Sequence, residues 1–205
     1  MTPSARVVRA AERSDAARER VLRSALRAIA AKGYQGSTVS AIAADAGLTT
    51  AGLLHHFPSK EHLLVAVLAE RDRLDAAHFR LDGLRGLAAL DRLVELVRYN
   101  TMLPGLVQAF TVLMGESVGG GHPANAWFRD RYPRLREVIA AAIRDGAEAG
   151  EIRADADGEA IAAQVIAMMD GLQVQWVLNP DEVDMAAVFA GYIAALRVYL
   201  DVTNR

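Results

Sequence analysis

The sequence has no cysteine, which excludes disulfide cross-links and thiolate metal sites. Aromatic residues are scarce, at 6% of 205. Alanine and leucine abound instead, a mixture that favours helices over strands. No uninterrupted apolar run reaches the ~18 residues of a membrane-spanning helix. The first residues carry arginines but no apolar core of a signal peptide, so a soluble cytoplasmic protein with no membrane contact is expected. Also missing are a phosphate-binding glycine loop and a metal-ligand spacing. His55, His56 and His62 have no carboxylate trio beside them, and the acidic pair Asp181-Glu182 reads as a helix start. The expectation is no enzyme, no cofactor and no metal.

What is present is a core-forming 52% of apolar residues and an uneven charge. Residues 1–60 hold nine Lys/Arg against Glu12, Asp15, Glu19 and Asp45, a net of +5; the remainder holds fourteen against twenty-one, a net of -7. A basic end on an acidic body suggests that the end meets a polyanion.

Along the chain, residues 1–12 lack a clear period and read as a flexible basic arm, with Arg6 and Arg9 in it. From Asp15, the recurrence of Val21, Leu22, Ala25, Leu26 and Ile29 predicts an amphipathic helix rich in arginine, stopped at Gly33. Ser37 or Thr38 caps a short helix to Ala44. Asp45-Ala46-Gly47 makes a turn, and Thr49 caps a second short helix to His56, which Pro58 ends. Ser59 starts a longer helix to about Phe79. Further helices are expected near 87–101, 104–117, 123–149 with a possible kink at Pro133, from Asp155 or Asp157 to Leu178, and from Asp181 to Val202. The chain is therefore expected to be all-α, with about nine helices. Its parts are the arm (1–12), a helix-turn-helix head (13–62) and a helical body for ligand binding and dimerisation (63–205).

Two short helices joined by a glycine turn, behind an arginine-rich helix, describe a device whose second helix enters the DNA major groove. The stretch LTTAGLLHHFPSKEHLL (residues 48–64) suits it. Thr49, Thr50, Ala51 and Gly52 are small where the backbone must come close, and a threonine hydroxyl and methyl can meet base edges. His55, His56 and Lys60 then fall near phosphates, Lys60 in the first turn of the next helix.

The segment from Gly36 to Leu64 resembles the DNA-binding domain of TetR-family transcriptional regulators. The resemblance is carried by Thr38, Ile42-Ala43, Ala46-Gly47, His56-Phe57 and Lys60, over about 30 contiguous residues. It implies that Thr38 holds a phosphate, that Ser40, Thr50 and Gly52 sit where bases are read or the backbone approached, and that His55 and Lys60 grip phosphates. His56 would contact the backbone or brace the turn. One departure stands out: Leu54 occupies the position where the family commonly has a phosphate-donating tyrosine. Either His55 and the N-terminal arginines replace that contact or Leu54 packs into the domain.

A single head makes few contacts, so two-fold pairing on a palindromic operator is expected. Ile161, Val165, Met168 and Leu172 form one helical stripe and Phe189, Tyr192 and Leu196 another; paired with their copies they would make a four-helix bundle. The same stripes could instead serve one subunit's own core. In the middle helices Met102, Phe110, Met114, Trp127 and Phe128, with the polar Asn100, Gln108 and Glu116, are candidates for an apolar small-molecule pocket, and Gln173 and Trp176 for its seam. The resulting expectation is a homodimeric, sequence-specific DNA-binding repressor released by an apolar effector. The alternative is an all-α interaction module or enzyme whose head no longer binds DNA.

Overall fold

Side-chain caps fix several helix starts. The Thr38 hydroxyl accepts from the Ala41 amide, Thr49 from Gly52, Asp157 from Ala160 and Asp184 from Ala187. The computed structural model describes residues 5–79, 85–119 and 121–203. Among these residues there are nine helices and no strand: α1 (Ala5–Gly36), α2 (Val39–Asp45), α3 (Thr50–His56), α4 (Lys60–Phe79), α5 (Gly86–Asn100), α6 (Pro104–Ser117), α7 (Asn125–Glu148), α8 (Gly158–Leu178) and α9 (Met185–Leu200).

Two expectations need correction. The segment expected to be a flexible arm is helical from Ala5 onward; residues 1–4 lie outside the described residues. Alanine and arginine are strong helix formers, and with no cap or breaker between Ala5 and Asp15 the helix propagates toward the N-terminus. At the other end of the chain, α9 starts at Met185 rather than Asp181. The Glu182 and Val183 amides donate to the Asn179 carbonyl, so Asn179-Pro180 uses up four residues in a turn. Elsewhere α7 continues through Pro133.

Three buried clusters organise the packing. Val21, Leu22, Ala25, Ile42, Ala43, Leu53 and Phe57 close the head over α1–α3. Ile29, Tyr34, Ala109, Phe110, Leu113 and Phe128 form a second cluster where α1 lies on α6. The third holds the body together across α5, α7, α8 and α9. Helix α4 serves two of them. Leu63 and Val67 pack into the head, while Leu64 and Leu68, one residue further round, pack into the second cluster. A rotation or shift of α4 therefore moves head and body together.

The α8 segment is long and apolar enough to cross a membrane by length and composition. Its packing gives another reason for that composition. One side, with Ile161, Val165 and Ile166, is in the body core. The outer side leaves Val174 and Leu178 exposed, along with Gln164 and Gln175.

Candidate nucleic-acid interface and body cavity

In the head, α3 owes its position to its neighbours. Gly47 takes a φ of 70° in the turn, a conformation that costs glycine nothing. Arg20 of α1 donates through Nε to the Ala46 carbonyl at 3.2 Å, and Arg27 donates to Asp45 at 2.6 Å. The Asp45 carboxyl is held below its usual range by the Ser24 hydroxyl and then by Arg27. Arg18 lies 5.1 Å from the Phe57 ring centroid. Three of the α1 arginines thus brace the head, a use the charge count alone does not reveal.

Around that frame, Thr38, Ser40, Thr49, Thr50, His55 and Leu54 are exposed, and Gly52, His56 and Lys60 are half-buried. The cap hydroxyls of Thr38 and Thr49 accept main-chain amides at 3.2 and 3.0 Å, which leaves each O–H proton able to donate outward. Thr38 and Ser40 hydroxyls lie 3.3 Å apart. The His55 and His56 rings meet edge to face at 5.7 Å. The Lys60 ammonium stands 4.2 Å over the Tyr34 ring. Tyr34 in turn donates to Glu61 at 3.3 Å, and burial, followed by the Glu61 charge, pushes its phenol up to about 12. Leu54 is 38% exposed rather than packed into the domain. His62 faces back to its own cap, with Nδ1 2.9 Å from the Ser59 hydroxyl. The eight head residues singled out from the sequence therefore lie along two short helices and the start of α4.

The body holds a cavity of about 350 Å³ between α4, α5, α6, α7 and α8. Of the residues expected to line a pocket, Asn100, Phe110 and Gln173 do so. The others belong elsewhere. Met102 is 66% exposed and Gln108 is also at the surface. Trp127 and Phe128 stack edge to face with Phe110 and fill the α1–α6 cluster. Met114 receives the Tyr132 hydroxyl, and Trp176 packs on the body core. Being large and apolar does not decide whether a side chain lines a hole or fills one. Glu116 accepts the Tyr34 amide instead.

The cavity's polar lining is Arg71, Asp72, Asn100, Arg131, Arg134, Asp170 and Gln173. Arg71 is 4% exposed; it donates to Gln173 at 3.2 Å and lies 3.8 Å over the Phe110 ring. Arg131 donates to Asp72 at 3.0 Å. The Tyr132 hydroxyl donates to Asp170 at 2.7 Å, and burial raises the Asp170 carboxyl above its ordinary range. The charged members were overlooked in the sequence although a signal existed. Leu64, Leu68 and Arg71 share one face of α4, so the arginine continues an inward stripe.

The stripes expected to meet a second copy also need correction. Ile161, Val165, Leu172, Phe189 and Leu196 are buried in the subunit's own core, with Met168 and Tyr192 half-buried at its edge. The apolar residues left exposed on α8 and α9 are Val174, Leu178, Val188, Val198 and Tyr199. They lie beside Gly171 and Gly191, where an added Cβ would meet nothing within 4 Å.

Comparison with known proteins places this geometry. Residues 21–67 match the model of the bacterial regulatory proteins of the tetR family, and residues 124–200 match that of the BetI-type transcriptional repressor C-terminal domain. The UidR regulator of Escherichia coli K12 is 27% identical over 139 residues, 67% of this chain and 70% of that one. A crystal structure of a regulator from Saccharomonospora viridis, in complex with choline, is 28% identical with a TM-score of 0.70, covering 87% of this chain and 95% of that one. Salmonella enterica GusR is 26% identical with a TM-score of 0.71, over 89% and 95% of the two chains.

Proposed function

This chain belongs to the TetR family of bacterial transcriptional regulators, and from that premise we propose that it is a cytoplasmic homodimeric repressor that leaves a palindromic operator when a small molecule occupies its body. The observation that carries the reading is the double duty of α4. One row of its side chains is packed in the head and the adjacent row in the cluster beside the cavity, and Arg71 on the same helix lines that cavity. A ligand that prefers a shifted α4 changes the separation of the two heads, and a ~100-fold loss of operator affinity needs ~2.7 kcal/mol of differential binding. The complex of the Saccharomonospora relative with choline supports a small-molecule effector in a related body.

In the head, Thr50 and Gly52 would read bases, with Ser40 beside them. Thr38, Thr49, His55, His56 and Lys60 would position the backbone. Pairing would use the outer face of α8 and α9, where small residues let helices approach closely.

The test is selection of bound fragments from the source genome, followed by titration of the recovered duplex. Affinity should fall linearly in log–log against salt with a slope set by several phosphates. A flat salt response and no enriched palindrome would refute the reading.

A further inference from the structure

The cavity's lining is selective about charge. Among the described residues, its charged side chains are three arginines and two aspartates. Asp72 is engaged by Arg131 at 3.0 Å, and Asp170 accepts the Tyr132 hydroxyl at 2.7 Å. Burial favours the neutral form of Asp170, which makes the cavity more positive still. A quaternary ammonium ligand is favoured by an open aromatic face. Here arginines already occupy those faces: Arg71 stands 3.8 Å over Phe110, and Arg131 stands 5.0 Å from the Phe110 centroid and 5.6 Å from that of Trp127.

A second, independent feature concerns Asn100. It lines the same cavity, is 1% exposed, and its Oδ1 makes no hydrogen bond. A buried acceptor without a partner is costly, so the site is complete when a donor reaches it. The rest of the wall is apolar: Leu93, Leu96 and Ile166 among others. At about 350 Å³ the volume is at the small end of the ~300–1,000 Å³ usual for ligand pockets.

We propose that the effector is a small apolar carboxylic acid that also carries a hydroxyl: its carboxylate meets the Arg71 guanidinium and its hydroxyl donates to Asn100 Oδ1. This deepens the regulator reading and rests on it for the word effector. Arg71 is on α4 and donates to Gln173 on α8. A carboxylate arriving at Arg71 competes with the Gln173 amide and so acts directly on the helix that carries the head. The bond displaced has one charged partner, whereas a guanidinium–carboxylate pair has two and can be bidentate.

The experiment is calorimetric titration of the purified full-length chain without DNA. The probes are 3-(4-hydroxyphenyl)propionate, its methyl ester, 3-phenylpropionate and tetramethylammonium. The hydroxy acid should bind about tenfold or more tighter than its ester, and the acid lacking the hydroxyl about tenfold weaker than the parent. Arg71→Met should abolish the preference for acid over ester. If Arg71→Met does not fold, as judged by helical circular dichroism, Asn100→Ala decides: it should remove the preference for the hydroxyl and keep that for the carboxylate. Equal binding of acid and ester, tighter binding of tetramethylammonium, or no binding of either acid at millimolar concentration overturns the proposal. A duplex arm separates the two readings. Operator binding that responds only to the ester or the cation leaves the regulator standing and removes the carboxylate. Acid binding by a chain with no affinity for any duplex does the reverse.

Discussion

The main-chain amide of Tyr34 donates to Oε2 of Glu116 over 2.9 Å, joining the end of α1 to α6 across 82 residues of sequence. The bond exists because Gly33 turns the chain at φ 69°, ψ 179°, a conformation almost confined to glycine. A Cβ there would fall 2.4 Å from Glu116 Oε1. Beside the pair, the His122 ring meets Tyr34 edge to face at 4.9 Å, with Nε2 3.7 Å from the same carboxylate.

Gly33→Ala should therefore destabilise the chain by about 1–3 kcal/mol, the cost of holding a side chain in that backbone region. Urea unfolding measures it. A loss within 0.5 kcal/mol of zero, the range of ordinary surface changes, would mean that α1 ends differently.

In the head, Lys60→Ala should weaken binding to all duplexes alike and reduce the salt slope by about one. Thr50→Ala should instead change preference at one base position, by about 1–3 kcal/mol. Anisotropy titrations on a set of singly substituted duplexes separate the two. Uniform loss from Thr50→Ala would place Thr50 on the phosphates.

Leu54 offers a gain rather than a loss. It is 38% exposed on α3, where the family commonly carries a phosphate-donating tyrosine. Leu54→Tyr should tighten duplex binding by about 0.5–1.5 kcal/mol, one net hydrogen bond. Unchanged affinity would show that the side chain at this position points away from the backbone of the duplex.

For the outer face of α8 and α9, Val188→Asp should shift the sedimentation coefficient from dimer to monomer while helical circular dichroism is retained. Val188 is 49% exposed within the subunit, so the charge disturbs only a pairing surface. A variant that still sediments as a dimer would move the interface elsewhere.

Asp170 should make stability depend on pH. Burial raises its folded-state value above the unfolded ~3.9. Stabilisation from the protonated group is then present below the unfolded value and lost as pH rises through the folded one. Asp170→Asn stays neutral, so its stability curve should be flatter than that of the parent as pH rises from the unfolded value. Parallel curves by thermal unfolding would show that Asp170 is ionised throughout.

The all-α class, the short helices α2 and α3 and their caps were legible because each rests on residues within one turn of one another. Thr38 with Ala41, Thr49 with Gly52 and the turn at Gly47 need no distant partner. The family signature is likewise about 30 contiguous residues. The N-terminal arm was misread because a helix without a stop signal extends by propensity alone.

The sequence by itself determined where the short helices α2 and α3 start and which end of the chain is basic, since those follow from local bonds and composition. Only tertiary structure decided which side of α8 faces inward, that Trp127 and Phe128 fill space while Arg71 and Arg131 border it, and that α4 is shared between two cores. A helix with apolar residues on all sides carries little moment to orient it, and a cavity is defined by what five separate helices fail to fill.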